Sequence, residues 1–275
     1  MRTRRRSQLL LHVFLLAVAA VFVFPLLWIT VTSFKTGPDL SSNPLSVLPQ
    51  EFTLANYEKV LGELGFLTNL RNSLLISLAA TAITIVAGTL AAYGIVRFFP
   101  RVGKRLTRLL IATYMFPPIL LAVPYAAIMV ALGLINTYVG LVLAYLSFSL
   151  PYAIWMLVGF YQTVPLEIEE GAAVDGAGRF RVFLQISTPI VLPGIVATAV
   201  YTFINTFNEF LYALLFINES EKMPVAVALY SLTGSEVLDW GAMMAASVVV
   251  VVPSVLFFMS IQKYIAGGLA EGSVK

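Results

Sequence analysis

Six apolar stretches constrain the fold of this chain more than any other feature of its sequence. They cover approximately residues 9–34, 73–96, 109–132, 139–161, 189–216 and 241–261. A helix that crosses a bilayer needs about 20 largely apolar residues, and each stretch is long enough. Only 11% of the 275 residues are charged, whereas soluble domains carry about 25% charged residues. The sequence therefore predicts an all-α membrane protein with six transmembrane helices and excludes a soluble globular enzyme.

The residue types needed for most catalytic and metal sites are scarce. The chain has no cysteine and one histidine, so thiolate chemistry and two-histidine zinc sites are excluded. The histidine, His12, lies near the start of the first stretch and is predicted to be interfacial. No glycine-rich phosphate loop of the form GxxxxGK[ST] occurs. We therefore predict no catalytic residue, no metal site and no cofactor bound by this chain.

The basic residues indicate the orientation of the chain, because lysine and arginine near membrane spans favour the cytoplasmic side. Most of the 17 lie before the first stretch, between the second and third, between the fourth and fifth, and after the sixth. Both termini are thus predicted to be cytoplasmic. Residues 1–8 form a basic N-terminal segment and 9–275 the transmembrane domain. The external loop, about 35–70, contains a short amphipathic helix over 53–64 that we expect to lie on the membrane surface.

The loop between the fourth and fifth stretches, about 163–189, has the pattern of a helix–turn–helix. Thr163 is a candidate N-cap and Pro165 suits the first turn. Acidic residues follow, which complement the positive end of the helix dipole: Glu167, Glu169 and Glu170. Gly176 and Gly178 are predicted to end the first helix, since glycine readily adopts the left-handed cap conformation. A second helix over 180–187 then enters the fifth stretch at Pro189. A plain solvated loop is the alternative.

This loop resembles the EAA loop of ABC importer permeases, in which EAA is followed after three residues by G and after nine more by I-x-L-P. The residues at these positions are Glu170, Gly171, Ala172, Gly176, Ile186, Thr188 and Pro189. Gly171 replaces an alanine of the pattern and Thr188 a leucine. Residues 25–35, 48–57, 72–73, 133–137, 207–210 and 265–275 are similar to segments of carbohydrate importer permeases. The chain is identified by this resemblance as a member of the MalG-like permease subunits of maltose-type importers.

The resemblance implies a type I ABC importer permease fold with a cytoplasmic coupling helix between spans 4 and 5. It also implies a second homologous permease, two ABC ATPase subunits that use ATP and Mg, and an extracytoplasmic sugar-binding protein. Glu170 would pair with a basic residue in a cleft of the ATPase, and Gly176 would shape the bend. Asp175 either supports the turn locally or contributes to docking. The ATPase-coupling residues implied are Glu169, Glu170, Gly171, Ala172, Ala173, Asp175, Gly176, Ile186 and Pro189.

Four residues within or near the stretches are weaker candidates for a substrate pathway. Glu209 is the only acid within the six stretches, and an intramembrane acid is a functional hypothesis by default. Structural pairing is an equally good interpretation of it. Tyr114, Asn205 and Asn208 offer the hydrogen bonds and aromatic faces that sugars need, although ordinary helix packing would also explain them.

Prolines at positions 117, 118 and 124 predict a broken or kinked third span. Two other functions stay open at this point. An ATP-independent secondary transporter would be expected to show buried charges and internal repeats, and neither is apparent. An importer of a non-sugar solute would share the EAA loop. A membrane enzyme is disfavoured because no cluster of histidine, cysteine or carboxylate lies at one depth.

Overall fold

The computed structural model describes residues 2–234 and 238–272, which are mostly helical. The last three residues of the tail segment 265–275 lie outside the described residues. The α-helices within the described ranges are α1 (Arg2–Thr32), α2 (Gly37–Ser42), α3 (Ala55–Glu58), α4 (Phe66–Arg97), α5 (Pro100–Tyr114), α6 (Pro118–Ala131), α7 (Tyr138–Tyr161), α8 (Leu166–Val174), α9 (Arg179–Val182), α10 (Thr188–Phe207), α11 (Leu211–Phe216), α12 (Val225–Ser231) and α13 (Trp240–Gly272). A π-helical turn, Lys59–Glu63, follows α3, and a second, Phe183–Ser187, joins α9 to α10.

The apolar helices agree with the predicted membrane spans. Within the described residues, α1, α4, α7, the continuous segment Arg179–Phe207 and α13 are each long and apolar enough to cross a bilayer. The bent pair α5 and α6 is long and apolar enough to form a sixth span if the two helices are counted together. The prediction of an all-α protein with six spans is confirmed. Four helices exceed their predicted bounds. Helices α1, α4 and α5 begin before residues 9, 73 and 109, and α13 continues beyond residue 261.

The third span is broken as the prolines predict. Helix α5 ends at Tyr114 and α6 begins at Pro118, and their axes differ by 90°. Pro117 occupies the N-cap position in extended conformation and Pro118 follows in the first turn, where a missing backbone N–H costs nothing. Pro124 lies inside α6 and does not interrupt it.

The fifth span differs from the prediction of one helix over 189–216. It begins earlier, because α9, the π turn and α10 form one continuous segment. It also breaks at residues 208–210, before α11. Glu209 explains the break, since its carboxylate oxygens accept hydrogen bonds from the backbone N–H groups of Tyr212 (3.0 Å) and Ala213 (3.1 Å). A carboxylate that accepts these bonds satisfies donors that have no partner at a new helix N-terminus.

The chain divides into two compact units, the first of which comprises Met1–Leu67 and Ala228–Val252. Here the predicted amphipathic helix is confirmed as α3 and its π turn, and Val60 on its apolar face is fully buried. The Tyr57 hydroxyl lies 2.7 Å from Ser33 Oγ. Lys59 Nζ donates to the Asp239 carboxylate at 2.7 Å. The location of this helix on a membrane surface stays a prediction.

The second unit comprises Thr68–Val227 and Pro253–Lys275. One of its apolar clusters joins the start of α4 to α6, α7 and α11 and includes Leu141, Tyr145 and Phe216. Another joins the end of α4 to the end of α7 and the start of the fifth span. Its buried members are Ala92, Tyr93, Ile95, Leu157, Val158, Tyr161, Val164, Phe183, Val191 and Ile195. The second cluster includes Val164 and Phe183, on either side of the segment that contains α8.

Candidate functional site

The loop between α7 and α10 folds as a short helix, a tight turn and a second helix. Helix α8 ends in a Schellman motif: the N–H of Ala177 donates to the Ala172 carbonyl and the N–H of Gly176 to the Ala173 carbonyl, both at 3.0 Å. Gly176 has φ +86°, a conformation that glycine adopts without the strain a side chain would add. The predicted bend at Gly176 is therefore confirmed.

Three predictions about the ends of these helices are wrong. Gly178 has φ −66° in extended conformation and is the N-cap of α9, so it starts the second helix instead of ending the first. Pro165 is the N-cap of α8. The Thr163 hydroxyl is not available as a cap because it donates to the Phe160 carbonyl at 2.8 Å, at the end of α7.

The adjacent acids Glu169 and Glu170 have different surroundings. Glu169 is buried and forms an ion pair with Arg97 at 2.8 Å. Glu170 is exposed, and its carboxylate forms no hydrogen bond with any residue that the structure describes. Asp175 is likewise exposed and, within the same ranges, its side chain forms no hydrogen bond that would support the turn. Glu170 and Asp175, together with the equally exposed Glu167, are thus the carboxylates that this loop offers to another molecule.

An apolar surface accompanies these free carboxylates. Val174 is 87% exposed, and other large apolar side chains of the loop are at least partly exposed: Leu166, Ile168, Phe180 and Leu184. Of the other residues implied by the resemblance, Gly171, Ala173 and Pro189 are exposed, while Ala172 and Ile186 are half-buried. An exposed apolar surface beside free charges is typical of a surface that binds a partner.

A cavity of about 620 Å³ lies in the second unit, beside both helix breaks. Its lining residues are Thr113, Tyr114, Phe116, Pro118, Leu121, Tyr125, Ser147, Phe148, Ile204, Asn205, Asn208, Glu209 and Tyr212. The four predicted pathway residues, Tyr114, Asn205, Asn208 and Glu209, all belong to this set. Sequence reasoning missed the aromatic residues that α6, α7 and α11 contribute, because their apolar context resembles ordinary helix packing.

The polar groups of the cavity are held in place by hydrogen bonds, one between α5 and α10 and the others within α10. The hydroxyls of Tyr114 and Tyr201 lie 2.6 Å apart. The Nδ2 groups of Asn205 and Asn208 donate to carbonyls one turn earlier, at 2.9 and 2.8 Å, and their Oδ1 atoms accept no hydrogen bond from the described residues. The cavity therefore combines fixed amide acceptors with aromatic faces, a lining suited to a polyhydroxylated molecule.

Metal ligands are not grouped in the described parts of the chain, where no three histidine, aspartate or glutamate side chains come together. The features that are present are six candidate spans, a partly open cavity lined by aromatic and polar side chains, and an exposed helical loop. Together they are typical of a membrane transport protein.

Comparisons with known proteins identify the family. Residues 84–270 match the family described as "Binding-protein-dependent transport system inner membrane component". The trehalose/maltose transport system permease protein MalG of Thermococcus litoralis is 33% identical over 100% of this chain and 99% of its own length. The diacetylchitobiose uptake system permease protein NgcG of Streptomyces coelicolor is 32% identical over 98% of this chain and 90% of its own.

A solved structure shows the same fold. It is described as a bacterial ABC transporter involved in the import of the acidic polysaccharide alginate, and one of its chains matches with a TM-score of 0.78 at 19% identity. The match covers 96% of this chain and 98% of that chain. This protein therefore belongs to the binding-protein-dependent transport system inner membrane components. It is an inner-membrane permease subunit of an ABC importer and not an enzyme, which confirms the family resemblance of the sequence.

Proposed function

We propose that this chain is the permease subunit of an ATP-driven sugar importer. With a second homologous permease it forms the translocation pathway, and an extracytoplasmic binding protein delivers the sugar. Two cytoplasmic ABC ATPase subunits hydrolyse ATP with Mg, and this chain binds neither. Both termini and α8 face the cytoplasm, in agreement with the arginine-rich first turns of α1 and the basic residues of α5.

The observation that carries this proposal is the exposed surface of α8. Glu170 is exposed and forms no hydrogen bond with the described residues, and the exposed apolar side chains of Leu166 and Val174 lie one turn before and after it on the same face of α8. A charged group within an apolar surface suits docking into a cleft that holds a basic residue, since such pairs fix the register of an interface. Closure of the ATPase dimer then moves α8 as a rigid body and switches the cavity between its inward- and outward-facing states.

The cavity supports a sugar as the transported solute. Aromatic faces from Tyr125, Phe148 and Tyr212 surround it, and Asn205 and Asn208 supply acceptors for hydroxyl groups. The names of the relatives refer to trehalose, maltose and diacetylchitobiose, so we propose a di- or oligosaccharide. Glu209 contributes to the cavity wall while it caps α11.

Purification of the tagged chain from native membranes in mild detergent tests this function. We expect an ATPase, a second permease and a sugar-binding protein to co-purify, and the reconstituted complex to accumulate maltose, trehalose or diacetylchitobiose when ATP is supplied. Recovery of the folded chain alone would refute the importer. Accumulation of none of the three sugars would refute the proposed solute class.

The role of Glu170 is tested in the same proteoliposomes. Glu170→Lys places a like charge against the proposed basic residue, so we expect uptake to fall by about tenfold or more. Glu170→Asp keeps the charge and is expected to retain most of the uptake. Normal uptake by the lysine variant would contradict a pairing of Glu170 with the ATPase.

A further inference from the structure

The carboxylate of Glu169 is the centre of a buried polar cluster. Arg97 binds it through two donors, with Nε 2.8 Å from Oε2 and Nη2 2.8 Å from Oε1. The hydroxyl of Ser187 donates to Oε1 at 2.7 Å, and that of Tyr93 to Oε2 at 3.4 Å. The side chains of Arg97 and Glu169 are only 12% and 7% exposed. A carboxylate bound in this way has no free face for a partner protein.

This cluster joins three segments of the second unit. Glu169 belongs to α8, Arg97 to the last turn of α4, and Ser187 to the π turn that leads into α10. Arg97 Nη2 also donates to the Val164 carbonyl at 2.9 Å, so the same guanidinium holds the chain just before α8. The ring of Tyr93 packs on that of Phe183 in the π turn, with ring centroids 4.9 Å apart.

The chemistry of the ion pair between Arg97 and Glu169 suits the transmission of movement between helices better than it suits stabilisation. A buried ion pair contributes little net stability, because the two charges must lose their hydration, and apolar side chains of similar volume would hold the segments as firmly. The two-donor contact between Arg97 and Glu169 adds a fixed orientation. The planar guanidinium and the carboxylate are held at a defined angle as well as a defined distance. A rotation of α8 must therefore carry the end of α4 with it.

Helix α5 extends this connection toward the cavity. A Cβ added to Gly103 would lie 2.8 Å from Ile95 Cγ2 and 3.1 Å from the Ile95 carbonyl oxygen, so the start of α5 rests directly on the end of α4. The other end of α5 carries Tyr114, which lines the cavity. Contiguous packed elements of this kind can carry energetic coupling between two sites.

We propose that Glu169 is a positioning residue that transmits the movement of α8 to α4 and α5 through Arg97, and does not itself contact the ATPase. The two adjacent acids of the EAA loop thus have separate roles. Glu170 pairs with the ATPase, and Glu169 connects α8 to α4 within this chain. The inference rests on the proposed function, because it requires an ATPase that moves α8.

The test compares sugar uptake per ATP hydrolysed in proteoliposomes that contain the complete complex and its binding protein. The probe is whichever of maltose, trehalose and diacetylchitobiose the wild-type complex accumulates. Glu169→Gln and Arg97→Gln are expected to retain the ATPase on purification and to lower uptake per ATP by about fivefold or more. The double variant is expected to be no worse than either single variant, because both remove one contact.

Two further variants distinguish a loss of transmission from a loss of folding. Ser187→Ala leaves the ion pair intact and removes one hydrogen bond, so we expect an assembled complex with uptake per ATP lowered by about twofold. Arg101→Gln removes an exposed guanidinium close to the same helix ends and is expected to change nothing.

The possible results separate this inference from the proposed function. Wild-type uptake per ATP in assembled Glu169→Gln and Ser187→Ala complexes would overturn the transmission role. Reduced assembly with unchanged uptake per ATP would overturn it as well, because the cluster would then serve folding only. If no ATPase co-purifies with the wild-type chain, the proposed function is refuted instead.

Discussion

Gly140, in the first turn of α7, is the position where one added methyl group is expected to do most damage. A Cβ there would overlap the Leu134 carbonyl oxygen and lie 3.1 Å from both Leu134 Cβ and Thr137 Oγ1. Because one obstacle is backbone, no rotamer change relieves the overlap, and the turn before α7 must move. That turn already depends on Gly133 and Asn136, which have φ values of +66° and +60°.

The magnitude follows from two terms. Overpacking of a close contact costs typically about 1–3 kcal/mol. Movement of the turn also weakens the N-cap of α7, in which Thr137 Oγ1 accepts from the Gly140 N–H at 3.0 Å, and loss of such a cap costs about 1 kcal/mol. Gly140→Ala should therefore lower the free energy of unfolding by about 3 kcal/mol. At about 2–4 °C per kcal/mol, the unfolding midpoint would fall by about 6–12 °C.

The assay is thermal unfolding of the purified chain in one detergent, followed by the loss of the monodisperse peak in size-exclusion chromatography. Gly159→Ala is the matched control on the same helix. A Cβ at Gly159 meets nothing within 4 Å, so alanine there is expected to stabilise the helix by about 0.5–1 kcal/mol. Equal midpoints for the two variants would refute the reasoning, because the added methyl group would then have no steric consequence.

Two further predictions concern orientation and pH. The chain has no cysteine, so Leu45→Cys and Val174→Cys, at positions 85% and 87% exposed, report orientation without background. In intact cells that lack the partner subunits, a membrane-impermeant maleimide is expected to label the first and not the second, and the reverse pattern would contradict the proposed topology. The hydrogen bond with Asp239 raises the pKa of Lys59. Burial alone would raise the pKa of Asp239, but hydrogen bonds from the Ala242 backbone and from Lys59 outweigh it and lower the pKa below the ordinary 3.8. Because the folded-state pKa of the acid is depressed, its stabilisation is present above pH 3.8 and is lost as the pH falls through the folded-state value. The folded-state pKa of Lys59 is raised, so its stabilisation is present below pH 10.5 and is lost as the pH rises through the folded-state value. The pair is more than one-third exposed, so Lys59→Met should lower the free energy of unfolding by less than about 1 kcal/mol at pH 7. The difference from wild type should vanish in acid, and a constant difference down to pH 2 would contradict it.

The sequence predicts the membrane-spanning part well because hydropathy and proline act locally. The span count follows from apolar length alone, and the break before Pro118 follows from the missing donor and fixed φ of proline. The break at residues 208–210 escaped prediction. No proline marks it, and the restart of the helix depends on how the Glu209 carboxylate turns back onto two N–H groups.

The separate environments of Glu169 and Glu170 could not be read from sequence for a different reason. The two acids are neighbours in one helix and look equivalent in a motif. Which of them faces inward is decided by Arg97, which is 72 positions away in the chain. Gly178 shows the same limit on a smaller scale. A glycine at this position is compatible with the end of one helix and with the start of the next, and in the structure it is the N-cap of α9.

The right angle between α5 and α6 changes the direction in which a displacement travels. A straight helix pushed at one end slides along its own axis, and its far end moves by the same amount in the same direction. Because the axes of α5 and α6 differ by 90°, a shift of α5 along its own axis displaces the first turn of α6 perpendicular to the axis of α6. Pro118 and Leu121, which line the cavity from that turn, would be carried across the cavity wall. A small axial movement at one end can therefore widen or narrow the opening at the other.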